Sequence, residues 1–221
     1  SIQTVNPNTN KTVKSFEEMT DKTVDAKVAK AHLVYAKWKE TSYQQRANLL
    51  HKVAKLMRIK KSKLAKTVTL EMGKLLSEAE GEIDLRADTI DYHADTAEDF
   101  LADKVLDPEY GEAIIRNSPI GTLLGVMPWN FPYYQVARFA APNIMMGNTI
   151  LLKHASIVPR CATAIGLDKT EVKLLPEAVT YSTICKKNNI KHIKIRFRHT
   201  VNFIKISMLT INIRIILIFD K

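Results

Sequence analysis

Two short apolar runs in this 221-residue chain end at residues able to handle a ligand. Gly121–Met127 (GTLLGVM) is followed by Pro128, Trp129, Asn130, Phe131 and Pro132, and Thr149–Lys153 (TILLK) ends on a lysine. Both runs read as buried strands, and a helix from Pro132 to about Met146 is expected between them. Strand, helix, strand describes a βαβ unit of a parallel sheet, and ligands bind beyond the carboxyl ends of such strands. Asn130 and Lys153 both fall there. Pro132 suits a first helical turn, where its missing N–H costs little, so Asn130 is expected at or near the N-cap. An Asn at that position either bonds a free backbone N–H or turns its amide toward a ligand, and on spacing alone the cap is the commoner use. Arg138 stands eight residues after Asn130, a little over two helical turns, which would place both on about the same face.

The remaining reactive side chains form no constellation. Cys161 and Cys185 cannot build a disulfide framework, which fits a reducing, cytoplasmic setting, and each reads as a small buried hydrophobe. His192 and His199 have no carboxylate between them, so no metal site is expected. The N-terminus lacks the basic and apolar regions of a signal peptide, and no uncharged apolar run reaches the ~18 residues of a membrane span. The net charge of +10 suggests nucleic acid until it is located. Residues 186–221 hold nine Lys or Arg and one Asp, whereas the rest holds 24 basic and 22 acidic residues, so a short tail carries the excess.

The elements that must position Asn130 and Lys153 begin with a helical layer. Asn6–Asn10 is a turn cluster, and a helix is expected over Asp21–Glu40. Ser42 with Gln45 makes a capping box for a second helix, in which Leu49, Val53, Leu56 and Met57 recur at helical spacing. Leu64, Val68 and Leu70 continue that pattern to Gly73, a C-cap, and Ser77–Leu101 reads as one long amphipathic helix. Past Gly111 the character changes. Ala113–Arg116 is a short strand, Asn117–Pro119 a turn, Gly147-Asn148 a helix end, and Val158-Pro159 opens another helix.

Pro128 to Pro132, with Pro119-Ile120-Gly121 before it and Gly147-Asn148-Thr149 and Leu152-Lys153 after it, resembles the aldehyde dehydrogenase superfamily. Leu70-Glu71-Met72-Gly73-Lys74 fits the same family at the expected distance upstream. The resemblance implies an α/β fold, part of an aldehyde-dehydrogenase-like dinucleotide-binding domain with a helical N-terminal layer and a parallel βαβ unit. It implies that Asn130 donates its amide to the oxyanion formed when a thiolate attacks an aldehyde. A fixed donor there is worth roughly 3–4 kcal/mol of barrier. It also implies that Met127, Pro128, Trp129 and Lys153 contact the cofactor, NAD or NADP, with Lys153 on the adenosine ribose. Ser156 matches a position where NAD-preferring relatives often carry Glu; a small neutral residue leaves space for a 2′-phosphate. Arg138 and the Leu152–Ser156 stretch resemble the succinate-semialdehyde branch, where a matching Arg binds the substrate carboxylate in a fork-shaped contact.

The family's Gly-rich pyrophosphate turn, its general-base Glu and its nucleophilic Cys after Gly-Gln do not occur in the sequence. The recognised motifs run out near Ile165. They divide the chain into 1–165, the N-terminal part of an NAD(P)-binding domain, and 166–221, a basic tail rich in Ile and Lys that reads as poorly packed or disordered. The tail's bias toward Ile, Lys and Asn, residues of AT-rich codons, is that expected of a shifted reading frame. The expectation is thus a truncated aldehyde dehydrogenase without activity of its own. The alternative is a non-enzymatic module that binds an intact homologue or, through its basic tail, nucleic acid or anionic lipid.

Overall fold

A computed structural model describes residues 2–106, 112–165, 179–181 and 213–218, the last two segments as backbone strands. The chain opens with a hairpin of β1 (Ile2–Val5) and β2 (Thr12–Phe16), closed by the Asn6–Asn10 turn. Asn10 sits in left-handed backbone there (φ 52°) and donates its N–H to the Asn6 carbonyl at 2.8 Å. Four helices follow. The Thr20 hydroxyl caps α1 (Asp21–Trp38), and α2 (Tyr43–Ile59) starts with the expected reciprocal capping box of Ser42 and Gln45. α3 (Lys61–Met72) stops at Gly73, whose φ of 75° suits a residue without Cβ.

The long helix α4 (Leu76–Leu101) organises the core. Ala79, Ile83, Ala87, Ile90, Ala94 and Ala97 are all buried, and their spacings of three and four make one apolar stripe. Alanines on that stripe let neighbouring helices approach closely. Packed along α4 are α2, α3 and α5 (Tyr134–Met146).

The sheet that carries the site has the order β5-β6-β7. β5 (Thr122–Val126) and β6 (Thr149–Lys153) are parallel, in register from Thr122↔Thr149 to Val126↔Lys153. β7 (Val179–Tyr181) continues the parallel sheet on the far side of β6. In β6, Ile150 and Leu152 enter the main core with α5, and Leu151 packs with Val24 and Ala31 of α1. Both faces are thus covered, which is why the strand is uniformly apolar rather than alternating. Gly125 is the contact point of β5 with α5: a Cβ there would lie 2.5 Å from the Phe139 ring.

A separate antiparallel sheet joins β3 (Lys104–Leu106), β4 (Glu112–Asn117) and β8 (Ile213–Ile218), in that order. β8 comes from the tail, with Ile213 lying opposite Asn117 and Ile218 opposite Glu112. α6 (Pro159–Ile165) follows β6 as expected. α1 ends at Trp38, two residues short of the expected Glu40, and the boundary beside the strand ends differs as well. Pro132 and Tyr133 form a turn, and α5 begins at Tyr134. The fold class is the expected one, α/β with a helical N-terminal layer and a parallel βαβ unit.

Candidate functional site

The parallel register brings the two loops of interest out of the sheet side by side. Val126 and Lys153 are Cα partners at the carboxyl ends of β5 and β6, and the Met127 N–H donates to the Lys153 carbonyl at 2.9 Å. Beyond that point Met127 is buried, whereas Pro128, Trp129 and Asn130 are exposed. Trp129 keeps half its surface, so it belongs to the site surface and not to the core. Lys153 is half-buried, and Ser156 is exposed in the turn after β6.

Asn130 is not the N-cap of α5. The free amides at that helix end belong to Tyr133 and Tyr134, and both donate to Oε1 of Glu82 on α4, at 2.9 and 3.2 Å. A buried carboxylate from another helix thus does the capping that spacing alone would give Asn130, and Asn130 itself is exposed. The inference that linked Arg138 to Asn130 through one helical face fails for the same reason, since Asn130 precedes the helix. Arg138 lies in the second turn of α5 with its side chain exposed.

The loop is held at its next three residues. The Lys74 ammonium lies 3.7 Å from the centre of the Phe131 ring and pairs with Oε2 of Glu82 at 2.6 Å. The Pro132 carbonyl accepts from Nε2 of the fully buried His154 at 2.7 Å, while His154 Nδ1 accepts the Ala155 N–H at 2.8 Å. That pairing requires a neutral ring. Burial lowers the His154 pKa to about 4, helped by the nearby charges of Lys153 and Arg86 and opposed by the bond to Pro132.

The other motif residues brace the same unit. Asn148 Oδ1 accepts the N–H groups of Ile120 and Gly121, at 2.7 and 3.1 Å, which joins the end of α5 to the start of β5. Gly147 ends α5 at φ 97°, and an added Cβ would meet the Arg46 guanidinium at 3.1 Å. Arg46 donates there to the Met145 carbonyl and also to those of Lys39 and Thr41. Glu71 receives the Thr4 hydroxyl and the Arg160 and Cys161 N–H groups, tying β1 and α6 to α3. Sequence reading missed Glu82, His154, Asn148 and Arg46 as supports, because each acts on a backbone group distant in the chain. Glu71, Lys74 and Glu82 are visible in sequence as charges around the junction of α3 and α4, but nothing in their spacing names the partners they take.

No thiol stands ready as a nucleophile among the described residues. Cys161 is fully buried, and burial together with the Glu71 carboxylate drives its pKa far up. Cys185 lies outside the described residues. No group of His, Cys, Asp and Glu among the described residues could hold a metal, and no described helix is long and apolar enough to cross a membrane. A cleft of about 390 Å³ is lined by Lys39, Tyr43, Arg46, Glu98 and Asn117 among others, and includes none of the strand-end residues. The strand ends offer a half-exposed apolar shelf in Val126 and Trp129 with a lysine alongside.

The sequence model of the aldehyde dehydrogenase family matches residues 1–194. The chain belongs to the aldehyde dehydrogenase family. The match runs past Ile165, where the recognisable motifs end, and takes in β7. A succinate-semialdehyde dehydrogenase [NADP(+)] of Deinococcus radiodurans is 43% identical over 162 residues, covering 73% of this chain and 34% of that protein. One of Mycobacterium tuberculosis is 46% identical over 164 residues, with 73% and 36% covered. Among solved structures, succinic semialdehyde dehydrogenase from Streptococcus pyogenes in complex with NADP+ is similar at a TM-score of 0.81 and 38% identity, covering 87% of this chain and 42% of that one. The chain therefore spans about a third of the length of the curated aldehyde dehydrogenases it matches.

Proposed function

We propose that this chain carries the oxyanion donor and adenosine-side cofactor contacts of an aldehyde dehydrogenase whose parent reaction oxidises succinate semialdehyde to a carboxylate. The observation that supports this most is the exposed Asn130, relieved of capping by Glu82, one strand away from Lys153. Asn130 gives its amide to the oxygen that gains negative charge when a thiolate attacks the aldehyde carbon. Lys153 holds the ribose hydroxyls, Met127, Pro128 and Trp129 line the nucleotide path, and Ser156 leaves room for a 2′-phosphate, so NADP is accepted. Arg138 binds the substrate carboxylate. The bound nicotinamide supplies the hydride acceptor. The nucleophilic Cys and general-base Glu are not in this chain, and Cys161 stays protonated and enclosed, so the chain by itself is inactive.

The test has two arms. The purified chain is assayed with succinate semialdehyde and NADP+; no turnover above a blank is expected, and turnover overturns the inactivity. In a chimera, residues 1–165 replace the matched part of an intact NADP-dependent succinate-semialdehyde dehydrogenase. Asn130→Ala is expected to lower its kcat about 10²–10³-fold. Arg138→Ala is expected to raise KM for succinate semialdehyde but not for an uncharged aldehyde. A folded, active chimera indifferent to Asn130→Ala overturns the site.

A second reading rests on the exposed apolar residues around the site, Val126, Trp129, Phe131 and Ile157. Such a rim suits association with an intact homologue. Co-purification of the two chains supports it, and separate elution of a stoichiometric mixture removes it.

A further inference from the structure

We infer that Glu82 and Lys74 act together as positioning residues for Asn130, a proposal that rests on reading Asn130 as the working amide. Glu82 is buried within α4, and its two oxygens do different things. Oε1 takes the Tyr133 and Tyr134 N–H groups, which as first-turn amides have no acceptor inside α5. Oε2 takes the Lys74 ammonium at 2.6 Å, with side-chain exposures of 9% for Lys74 and none for Glu82. The ammonium also lies over the Phe131 ring at 3.7 Å, and that ring meets Tyr134 edge-on at a centroid distance of 6.4 Å. The carboxylate and its lysine therefore grip the chain on both sides of Pro132, directly after Asn130.

The physical logic is one of preorganisation. Asn130 and Trp129 are exposed, so burial alone does little to fix their side chains. A donor that must meet a developing charge works only if its backbone is already fixed. Residues 131, 133 and 134 supply that fixing through one buried ion pair. Removal of the lysine leaves the Glu82 carboxylate enclosed without its cation, and removal of the carboxylate strands two helix-end amides. Neither Glu82 nor Lys74 touches the reacting atoms. Their effect on Asn130 runs through Phe131 and the start of α5.

Trp129 reports on the loop directly. The chain has two tryptophans, so Trp38→Phe leaves Trp129 as the sole emitter. In that background, Lys74→Met is expected to raise acrylamide quenching of Trp129 roughly two-fold as the loop loosens, with far-UV dichroism unchanged. Lys74→Arg, which keeps the cation, is expected to restore the parent value. A folded Lys74→Met chain with the parent's quenching, or a folded Lys74→Arg chain as quenchable as Lys74→Met, overturns the proposal. A measurement without substitution covers the case in which these variants do not fold. The Tyr133 and Tyr134 amides of the unaltered chain are expected to exchange with deuterium at least about 100-fold more slowly than exposed loop amides. Exchange at the loop rate overturns the proposal as well. None of these readouts depends on catalysis. A negative result removes the clamp and leaves Asn130 as donor, whereas indifference of the chimera to Asn130→Ala removes the donor and leaves the clamp.

Discussion

His154 shows how much one side chain can couple. Its ring lies wholly inside the protein, donating from Nε2 to the carbonyl before Tyr133 and accepting at Nδ1 from the N–H of Ala155. It thus ties the loop after β5 to the loop after β6, the two that present Asn130 and Lys153. A proton on Nδ1 would destroy the second bond and place a charge in an apolar site. The unfolded ring titrates near 6.5, and the folded ring resists protonation down to about 4. Between those values the unfolded chain binds more protons, so stability falls as pH drops from 6.5 toward 4, by an amount on the order of 3 kcal/mol. Urea midpoints measured across that range are expected to fall for the parent chain, and to fall less for His154→Gln. Equal slopes in the two proteins would show that the ring is not enclosed as described. Lys153, by contrast, was legible from its place at a strand end, and Ser156 was marked by the family resemblance.

At the scale of elements, the family motifs prove to be joints. Asn148 reaches from the end of α5 to two amides that enter β5, and Thr149 Oγ1 meets Thr122 Oγ1 at 2.8 Å across the first register pair. Together they align β5 with β6, and through that alignment they set Val126 opposite Lys153. Asn148→Ala leaves the Ile120 and Gly121 amides without their acceptor, at a cost of about 1–3 kcal/mol. Thermal and urea midpoints are expected to fall accordingly, and an unchanged midpoint would mean that water replaces the side chain at no cost. The helix boundaries show what spacing conveys. Ser42, Gly73 and Gly147 sit where sequence placed them, since caps and left-handed ends depend on adjacent residues. The start of α5 was misplaced because its cap, Glu82, is more than fifty residues away in the chain, and no local rule registers that.

The described residues lay a helical layer against a short parallel sheet, with the carboxyl ends of β5 and β6 turned toward solvent. Val126, Trp129, Phe131 and Ile157 leave apolar surface around those ends. An apolar dye such as anilinonaphthalene sulfonate is expected to fluoresce on the native chain, and to do so less after joint replacement of Val126, Phe131 and Ile157 by Ser. Equal fluorescence before and after would place the apolar surface elsewhere. The sequence by itself determined the family, the α/β class, the two strands that carry the site and the residues at their ends. Those features are written in local order: apolar runs, capping residues, glycines at left-handed turns and a set of motifs in fixed succession. The tertiary structure alone decided that Glu82, and not Asn130, caps α5, and what holds the loop that follows Asn130. Glu82, Lys74 and His154 meet the loop only after α4, β6 and α5 have packed, and a carboxylate's choice of two distant amides has no signature in neighbouring residues.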